Sequence, residues 1–400
     1  MRIGMMADAY KPHVSGITSY ISIYKQSLEA AGHDVYVFTF GGDETVDDER
    51  NVIRTRGLPL VDTGLFISIR YSTQAQKLLR SMDLVHVHHP FTSGQLAIRY
   101  CKPEGIPLVF TNHTRYDLYA LAYLPMVPEA LGDAFLRAYL PPFCRACDLV
   151  IAPSAGLREV LFRLGVDMPI EVVPNGVDIE PFRSPEKRVA RKELGFTDSD
   201  IVLTYMGRLG PEKNLVFLMR AFGGLAKTYE QVKLLIIGDG PERENLIDRA
   251  RYMDIADQVV FTGMIPYADL PGYLHVADAF VTASVTEVHP LSVIEAMASG
   301  LPVVGIQSPG VGDIVEDGVT GFLAPEEDLA VFTAKMTRMV TDGDCRAKMS
   351  QQAREAVKAY AIEYTTKNLL GYYQRLVDDS ARRKRGFWSR LLRRVAKGSP

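Results

Sequence analysis

Val285-Thr286-Glu287-Val288-His289-Pro290-Leu291-Ser292-Val293-Ile294-Glu295-Ala296-Met297-Ala298-Ser299-Gly300 sets two carboxylates around a turn that opens a helix. The apolar run Ala279-Phe280-Val281-Thr282-Ala283 ahead of it reads as a buried strand, and Pro290 starts the helix where its missing N–H costs nothing. Free N–H groups near Leu291 and Ser292, with the helix dipole behind them, suit a phosphate or sugar oxygen. Glu295 lies one turn further in, where a carboxylate can accept two hydrogen bonds from a diol. Glu287, before the turn, reaches a different part of the same ligand, with His289 between them. A capped surface helix with two solvated acids would use the same residues, so the rest of the chain decides between the readings.

The second half supplies the context. Ile201–Gly207, Lys233–Gly238, Val259–Thr262, Ala279–Ala283 and Pro302–Gly305 read as strands separated by helical spans. Gly207-Arg208-Leu209-Gly210-Pro211-Glu212-Lys213-Asn214 turns from a strand end into a helix start and offers a planar guanidinium and a point-charge ammonium to a diphosphate. Gly238-Asp239-Gly240-Pro241-Glu242 closes the next strand. These segments, Glu287 and Glu295 fall at successive strand ends of one sheet, where such folds bind ligands. Asp198-Ser199-Asp200 has the spacing of a metal-holding pair, but it precedes a strand and reads as a turn.

The first half begins the same way. Residues 2–8 read as a strand, 17–31 as an amphipathic helix and 34–40 as a second strand, the start of a parallel sheet. Between the first two lies a turn holding Tyr10, His13 and Gly16, the glycine allowing close backbone approach to a ligand. In Leu84-Val85-His86-Val87-His88-His89 the alternation puts His86 and His88 on one face and His89 on the other, a polar strand end rather than a metal site. The strand Pro107–Asn112 ends in His113-Thr114-Arg115-Tyr116-Asp117-Leu118-Tyr119. Residues 118–143 are apolar, and Pro125, Pro128 and the pair Pro141-Pro142 are expected to break any long helix there. Core helices and apolar loops at the mouth of a cleft both suit that stretch. Cys144 and Cys147 read as buried thiols. Asn175-Gly176 is a turn by its chemistry, which places a domain boundary near residue 177.

Glu287-x7-Glu295 followed by Ala296-Met297-Ala298-Ser299-Gly300-Leu301-Pro302-Val303-Val304 resembles the hallmark of retaining glycosyltransferases of family 4, and Pro174-Asn175-Gly176-Val177-Asp178 resembles the family's linker. The resemblance extends over nearly the whole chain. It implies an α/β architecture, the GT-B fold, with two Rossmann-like domains (1–177 and 178–361) facing across a cleft, and residues 362–380 as a closing helix that returns to the first domain. It also implies a nucleotide sugar as co-substrate, with neither cofactor nor metal. By resemblance His113 lies near the transferred sugar, Arg208 and Lys213 meet the leaving diphosphate, Glu287 holds the sugar and Glu295 the ribose. Gly16, Gly207, Gly238, Asp239, Gly240, His289, Leu291 and Ser292 then line the donor, and Tyr10, His13, Tyr116 and Tyr119 the acceptor side. His113-Thr114-x-Tyr116-x-x-Tyr119 with Pro125 is similar to the branch that glucosylates diacylglycerol, implying UDP-glucose as donor and 1,2-diacylglycerol as acceptor. Many members of that branch carry a second histidine where this chain has Ala122-Tyr123. A soluble sugar or sugar-phosphate acceptor is the alternative within the class, and a nucleotide-sugar epimerase the alternative on the same fold.

The 400 residues, 47% of them hydrophobic, suit two domains with real cores. Four cysteines at irregular spacing are no disulfide framework, and the charged, strand-like opening is no secretion signal, so a cytoplasmic location is expected. No apolar run reaches the roughly 18 residues of a membrane-spanning helix. The net charge of −3 divides unevenly: residues 382–397 carry +8 and no acid, leaving −11 on the rest. Within this tail (381–400), Phe387, Trp388, Leu391, Leu392 and Val395 share one helical face among arginines, the composition of an interfacial helix. An anionic membrane surface, on the inner face of the cell membrane, is the expected partner. Nucleic acid is not, because no recognised binding fold accompanies the charge.

Overall fold

The computed structural model describes residues 1–13, 15–42, 49–59, 66–118 and 128–397, with the backbone alone at 67, 129 and 385–397. The first half contributes β1 (Arg2–Met6), β2 (Asp34–Gly41), β3 (Val52–Arg56), β4 (Leu58–Pro59), β5 (Phe66–Ile67), β6 (Leu84–Val87), β7 (Leu108–Thr111), β8 (Leu149–Ala152) and β9 (Ile170–Val172). Apart from the short antiparallel pair β4–β5, these form one sheet in the order β3-β2-β1-β6-β7-β8-β9. All of its pairings are parallel, and Ile3 of β1 sits between Val35 and Leu84. The second half contributes β10 (Ile201–Met206), β11 (Val232–Ile237), β12 (Val259–Gly263), β13 (Ala279–Val281), β14 (Val303–Ile306) and β15 (Gly321–Ala324), in the order β12-β11-β10-β13-β14-β15, again parallel.

Central strands such as Leu234-Leu235-Ile236-Ile237 and Val150-Ile151-Ala152 are buried along their length, because helices cover both faces of a parallel sheet. That makes them legible as apolar runs. Two edge strands are not: β3 reads Val-Ile-Arg-Thr-Arg and is largely half-exposed, and β15 (Gly-Phe-Leu-Ala) is not anticipated from the sequence either. A second difference lies in the helix Glu129–Ala146, which runs straight through Pro141 and Pro142 instead of breaking there. An interior proline costs roughly 3 kcal/mol. Burial of Leu136, Leu140, Phe143 and Cys144 in the first core opposes that cost. Cys144 and Cys147 are buried thiols, as the sequence indicates. Asp198–Asp200 forms a turn in which Asp200 Oδ2 accepts from Thr197 N–H.

The chain crosses between the domains twice, and the crossings touch. Val177 N–H donates to Tyr360 O, and Ile362 N–H donates to Val177 O. From Ile362 one helix of 36 residues continues through Lys397, so the expected closing helix and basic tail are a single element. Leu369 and Tyr373 bury it in the first domain beside Tyr24 and Leu28. At the far end of the sheet Ser380 Oγ donates to Gly105 O.

The second sheet depends on a close backbone crossing at its strand ends. Gly238 has φ +133°, and a Cβ there would lie 2.0 Å from Gly207 O. Gly238→Ala is therefore expected to lower the melting temperature by several degrees, the effect of roughly 1–3 kcal/mol of strain. Thermal unfolding followed by circular dichroism checks this.

Candidate active site

Each sheet reverses its strand order once, between β1 and β6 and between β10 and β13, and a crevice opens where neighbouring connections leave in opposite directions. The loop after β10 carries Arg208 and Lys213, and the loop after β13 carries Glu287. These two loops are tied together, because the Glu212 carbonyl accepts hydrogen bonds from Thr286 Oγ1 (3.1 Å) and Ser284 Oγ (3.4 Å). Asn214, in a left-handed conformation (φ 54°), donates from Nδ2 to Ala283 O. The result is an ion pair between Lys213 Nζ and Glu287 Oε1 at 2.6 Å, with side-chain exposures of 15% and 21%. Arg208 NH1 lies 3.8 Å from the buried Glu212 carboxylate while its own side chain is half-exposed.

Across from these cations stands the turn after β1. Burial, then the charges of Arg208 and His89, holds the His13 imidazole below its ordinary range, which places this loop within electrostatic reach of Arg208. Gly16 is the first residue of the helix Gly16–Ala30, whose start is closed by the reciprocal Ser15–Thr18 capping box. A Cβ at Gly16 would meet no atom within 4 Å, so the space beside it is open.

Gly207, Gly238 and Gly240 belong to the crossed loops after β10 and β11, where Leu209 N–H donates to Asp239 O and Gly207 N–H to Ile237 O. Asp239 is exposed, and its Oδ1 accepts from Gly240 N–H. The helix Leu291–Ala298 starts one residue later than expected, with Pro290 as its N-cap and no side-chain cap. Leu291 packs its side chain into the second core, so what it presents to the crevice is backbone. Ser292 is half-exposed. His289 is buried with its ring edge-on to Tyr360 at 5.1 Å, and its carbonyl accepts from Asn175 Nδ2, which puts it at the seam between the domains.

Glu295 is 4% exposed, and Tyr267 Oη donates to its Oε1 at 2.8 Å. Burial pushes its carboxyl up to about 7, against the smaller opposing effect of the Tyr267 hydrogen bond. Tyr267 carries no sequence signal: it sits in a short turn, and only the fold brings it to Glu295.

The acceptor-side residues divide. His113 is half-buried at the carboxyl end of β7, its Nε2 3.0 Å from His88 Nδ1 and its ring 4.5 Å from that of Tyr20. The His86 and His88 rings lie side by side at 4.2 Å, tilted by 39°, whereas His89 Nδ1 turns away to accept from Asp8 N–H, the division that alternation implies. Tyr116 packs edge-on against Phe91. Tyr10 is a correction: it is 3% exposed in the first core and donates from Oη to Glu49 at 2.8 Å, so it holds the loop instead of facing an acceptor. Glu49 also pairs with Lys11 and Lys25. Tyr119 and Ala122-Tyr123 lie outside the described residues.

The raised Glu295 carboxyl makes a stability prediction. Its folded-state value of about 7 exceeds the ordinary 4.5, so folding retains a proton between those values and stability falls as pH rises through 7. Glu295→Gln keeps an acceptor for Tyr267 and carries no charge. Its melting temperature should exceed the wild-type value at pH 8, with the gap closing as pH falls towards 4.5, in a pair of thermal melts across that range.

Comparison with known proteins agrees with this geometry. Residues 14–181 match the family described as Glycosyltransferase Family 4, and residues 186–356 match Glycosyl transferases group 1. The chain is 32% identical over 346 residues to an alpha-monoglucosyldiacylglycerol synthase of Streptococcus pneumoniae, covering 82% of this chain and 77% of that one. It is 29% identical over 403 residues to the alpha-monoglucosyldiacylglycerol synthase of Acholeplasma laidlawii, covering 94% and 98%. Among solved structures, HepE of Anabaena in complex with UDP and glucose superposes with a TM-score of 0.73 at 19% identity, covering 94% of this chain and 99% of that one. With two Rossmann-like sheets and most of its candidate residues at the carboxyl ends of their strands, the chain belongs to the family 4 and group 1 glycosyltransferases and is a hexosyltransferase of the GT-B fold.

Proposed function

We propose that the enzyme transfers glucose from UDP-glucose to a membrane lipid such as 1,2-diacylglycerol, retaining the anomeric configuration. The observation that carries the lipid acceptor is a line of aromatic rings leading inward from the surface. Phe135, 54% exposed, stacks on Tyr139 at 5.5 Å, Tyr139 on Phe91 at 5.4 Å, and Phe91 meets Tyr116 at 5.1 Å, three residues from His113. Leu131, 62% exposed, lies one helical turn before Phe135. The Tyr139 hydroxyl is satisfied by Pro90 O and Gln95 Nε2, which leaves its ring as an apolar wall. A phosphorylated soluble acceptor would call for a cation on this side, and Arg115 is already bound to Asp117 at 2.6 Å. Names of the relatives from Streptococcus and Acholeplasma support the same acceptor, and the UDP and glucose held by the Anabaena protein support the donor.

In this reading the sugar–phosphate bond breaks as the diphosphate leaves. Arg208, Lys213 and the backbone N–H groups at the start of the helix Leu291–Ala298 stabilise the charge that develops. The acceptor hydroxyl attacks the same face, and its proton passes to the departing phosphate oxygen. Glu287 orients the sugar and keeps Lys213 aimed, while Glu295 accepts hydrogen bonds from the ribose. The neutral imidazole of His113 sits beside the transferred sugar. The first contact of the cationic tail is with the bilayer, and the tail acts as a tether: its helix leaves the domain near Gly105 and Asp148, at the strand ends opposite His113.

The deciding experiment is a turnover screen of UDP- and GDP-sugars, with and without diacylglycerol in detergent. Acceptor-dependent release of UDP from UDP-glucose, with an alpha-linked glycolipid product, is expected. Turnover without any acceptor would favour an epimerase or hydrolase. Arg208→Ala or Lys213→Ala should lower turnover by about two to three powers of ten, the usual cost of removing one transition-state donor, with circular dichroism unchanged. A chain ending at Lys384 keeps the Ser380 and Arg383 contacts. It should lose co-sedimentation with anionic vesicles yet retain donor turnover, since each cation near such a surface contributes about 1 kcal/mol.

A further inference from the structure

The first-domain histidines form a chain of which the transfer scheme uses only the outer member, His113. His86 is committed at both ring nitrogens, Nδ1 to Tyr373 Oη at 2.5 Å and Nε2 to Thr111 Oγ1 at 2.7 Å. His88 is fully buried, bonds His113 through Nδ1, and has no partner at Nε2 among the described residues. His113 bonds only through Nε2 among those residues, and its half-buried ring leaves Nδ1 on the edge away from His88. Tyr20 packs against both rings, at 5.5 Å from His88 and 4.5 Å from His113, which limits their rotation.

Desolvation holds both imidazoles well below their ordinary range, with His86 and His89 adding repulsion, so each ring carries one proton. The 3.0 Å contact then has two registers. If His113 donates, the His88 proton sits on Nε2, a buried N–H with no acceptor. If His88 donates, the unpartnered Nε2 is a bare lone pair, and the His113 proton must sit on Nδ1. Buried N–H groups without acceptors are the rarer defect and cost about 1–3 kcal/mol.

We infer that His88 donates from Nδ1 and so fixes His113 as the Nδ1–H tautomer, presenting a hydrogen-bond donor to the transferred sugar. This rests on the reading that His113 faces the sugar. His88 is a positioning residue: it touches no substrate, and it decides whether the catalytic imidazole offers a proton or a lone pair. The same logic separates it from His86, whose two bonds reach Tyr373 and Thr111 and not His113.

Two-bond proton–nitrogen correlation spectra of enzyme labelled with nitrogen-15 histidine report the tautomer directly. The eight histidines are few enough to resolve, and the His113 signals are identified by their loss in His113→Asn. A protonated Nδ1 and bare Nε2 at His113 are expected, and a proton on His113 Nε2 overturns the assignment without any variant needing to fold. Kinetics supply the second arm. His88→Leu removes the donor at similar size and should lower kcat for glucosyl transfer roughly three- to tenfold, the worth of one net hydrogen bond, with a smaller change in donor KM. His88→Asn, whose Nδ2 stands near the place of Nδ1, should recover most of that loss. Equal losses in the two variants would mean that His88 only fills space, and would overturn the positioning role. Unchanged transfer by His113→Ala would overturn the sugar-facing reading and the functional half of this inference, while leaving the wild-type spectra as they are.

Discussion

The Lys213–Glu287 pair is the contact on which the site depends. At 2.6 Å, and with both side chains mostly sheltered, it draws the loop after β10 against the loop after β13. Those loops leave neighbouring strands in opposite directions, which is why a crevice exists between them. A half-buried ion pair of this kind is costly to break by removing one partner, because the other charge is left without compensation. In the proposed function a diphosphate and a sugar would supply the replacement: anionic oxygens for the ammonium, hydroxyl donors for the carboxylate. The pair therefore keeps both side chains in place before a ligand arrives, and the Glu212 carbonyl, held by Ser284 and Thr286, keeps their backbones in register.

Burial does most of the electrostatic tuning elsewhere. In the second domain it raises Glu295 to about 7, against the smaller opposing effect of the Tyr267 hydroxyl. In the first domain it lowers His86, His88 and His113, so the histidine chain is neutral and its hydrogen bonds are directional instead of ionic. Charge in the site thus comes from Arg208, Lys213 and Glu287, and orientation from the neutral network beneath His113. The two sets of residues sit on different sheets, and His13, in reach of Arg208, marks where they meet.

The single helix Ile362–Lys397 connects these sites with the basic end of the chain. It starts where the two interdomain crossings touch, buries Tyr373 against His86, and leaves the first domain past Gly105. One element thereby contacts the interdomain crossings, the histidine chain and the root of the tail. Its length comes from a stretch, Ile362–Lys397, that contains no proline; of its two glycines, Gly371 is tolerated because the flanking Leu369 and Tyr373 are buried.

The sequence by itself determined the two parallel sheets, their central strands and the identity of the principal candidates. Apolar runs buried on both faces, glycine turns at strand ends and the carboxylates of Glu287 and Glu295 are local signals, readable one segment at a time. Edge strand β3 escaped because a half-exposed strand with two arginines lacks such a run. The Pro141-Pro142 helix escaped because core packing overrode a local rule. What only the tertiary structure decided is who touches whom. Tyr10 looked like a ligand residue in its loop, yet Glu49 draws it inward. Tyr267 gave no signal until the fold set it on Glu295, 28 residues away. Lys213 met Glu287 across 74 residues, and His88 met His113 across 25, because strand order, not sequence distance, sets neighbours in a sheet.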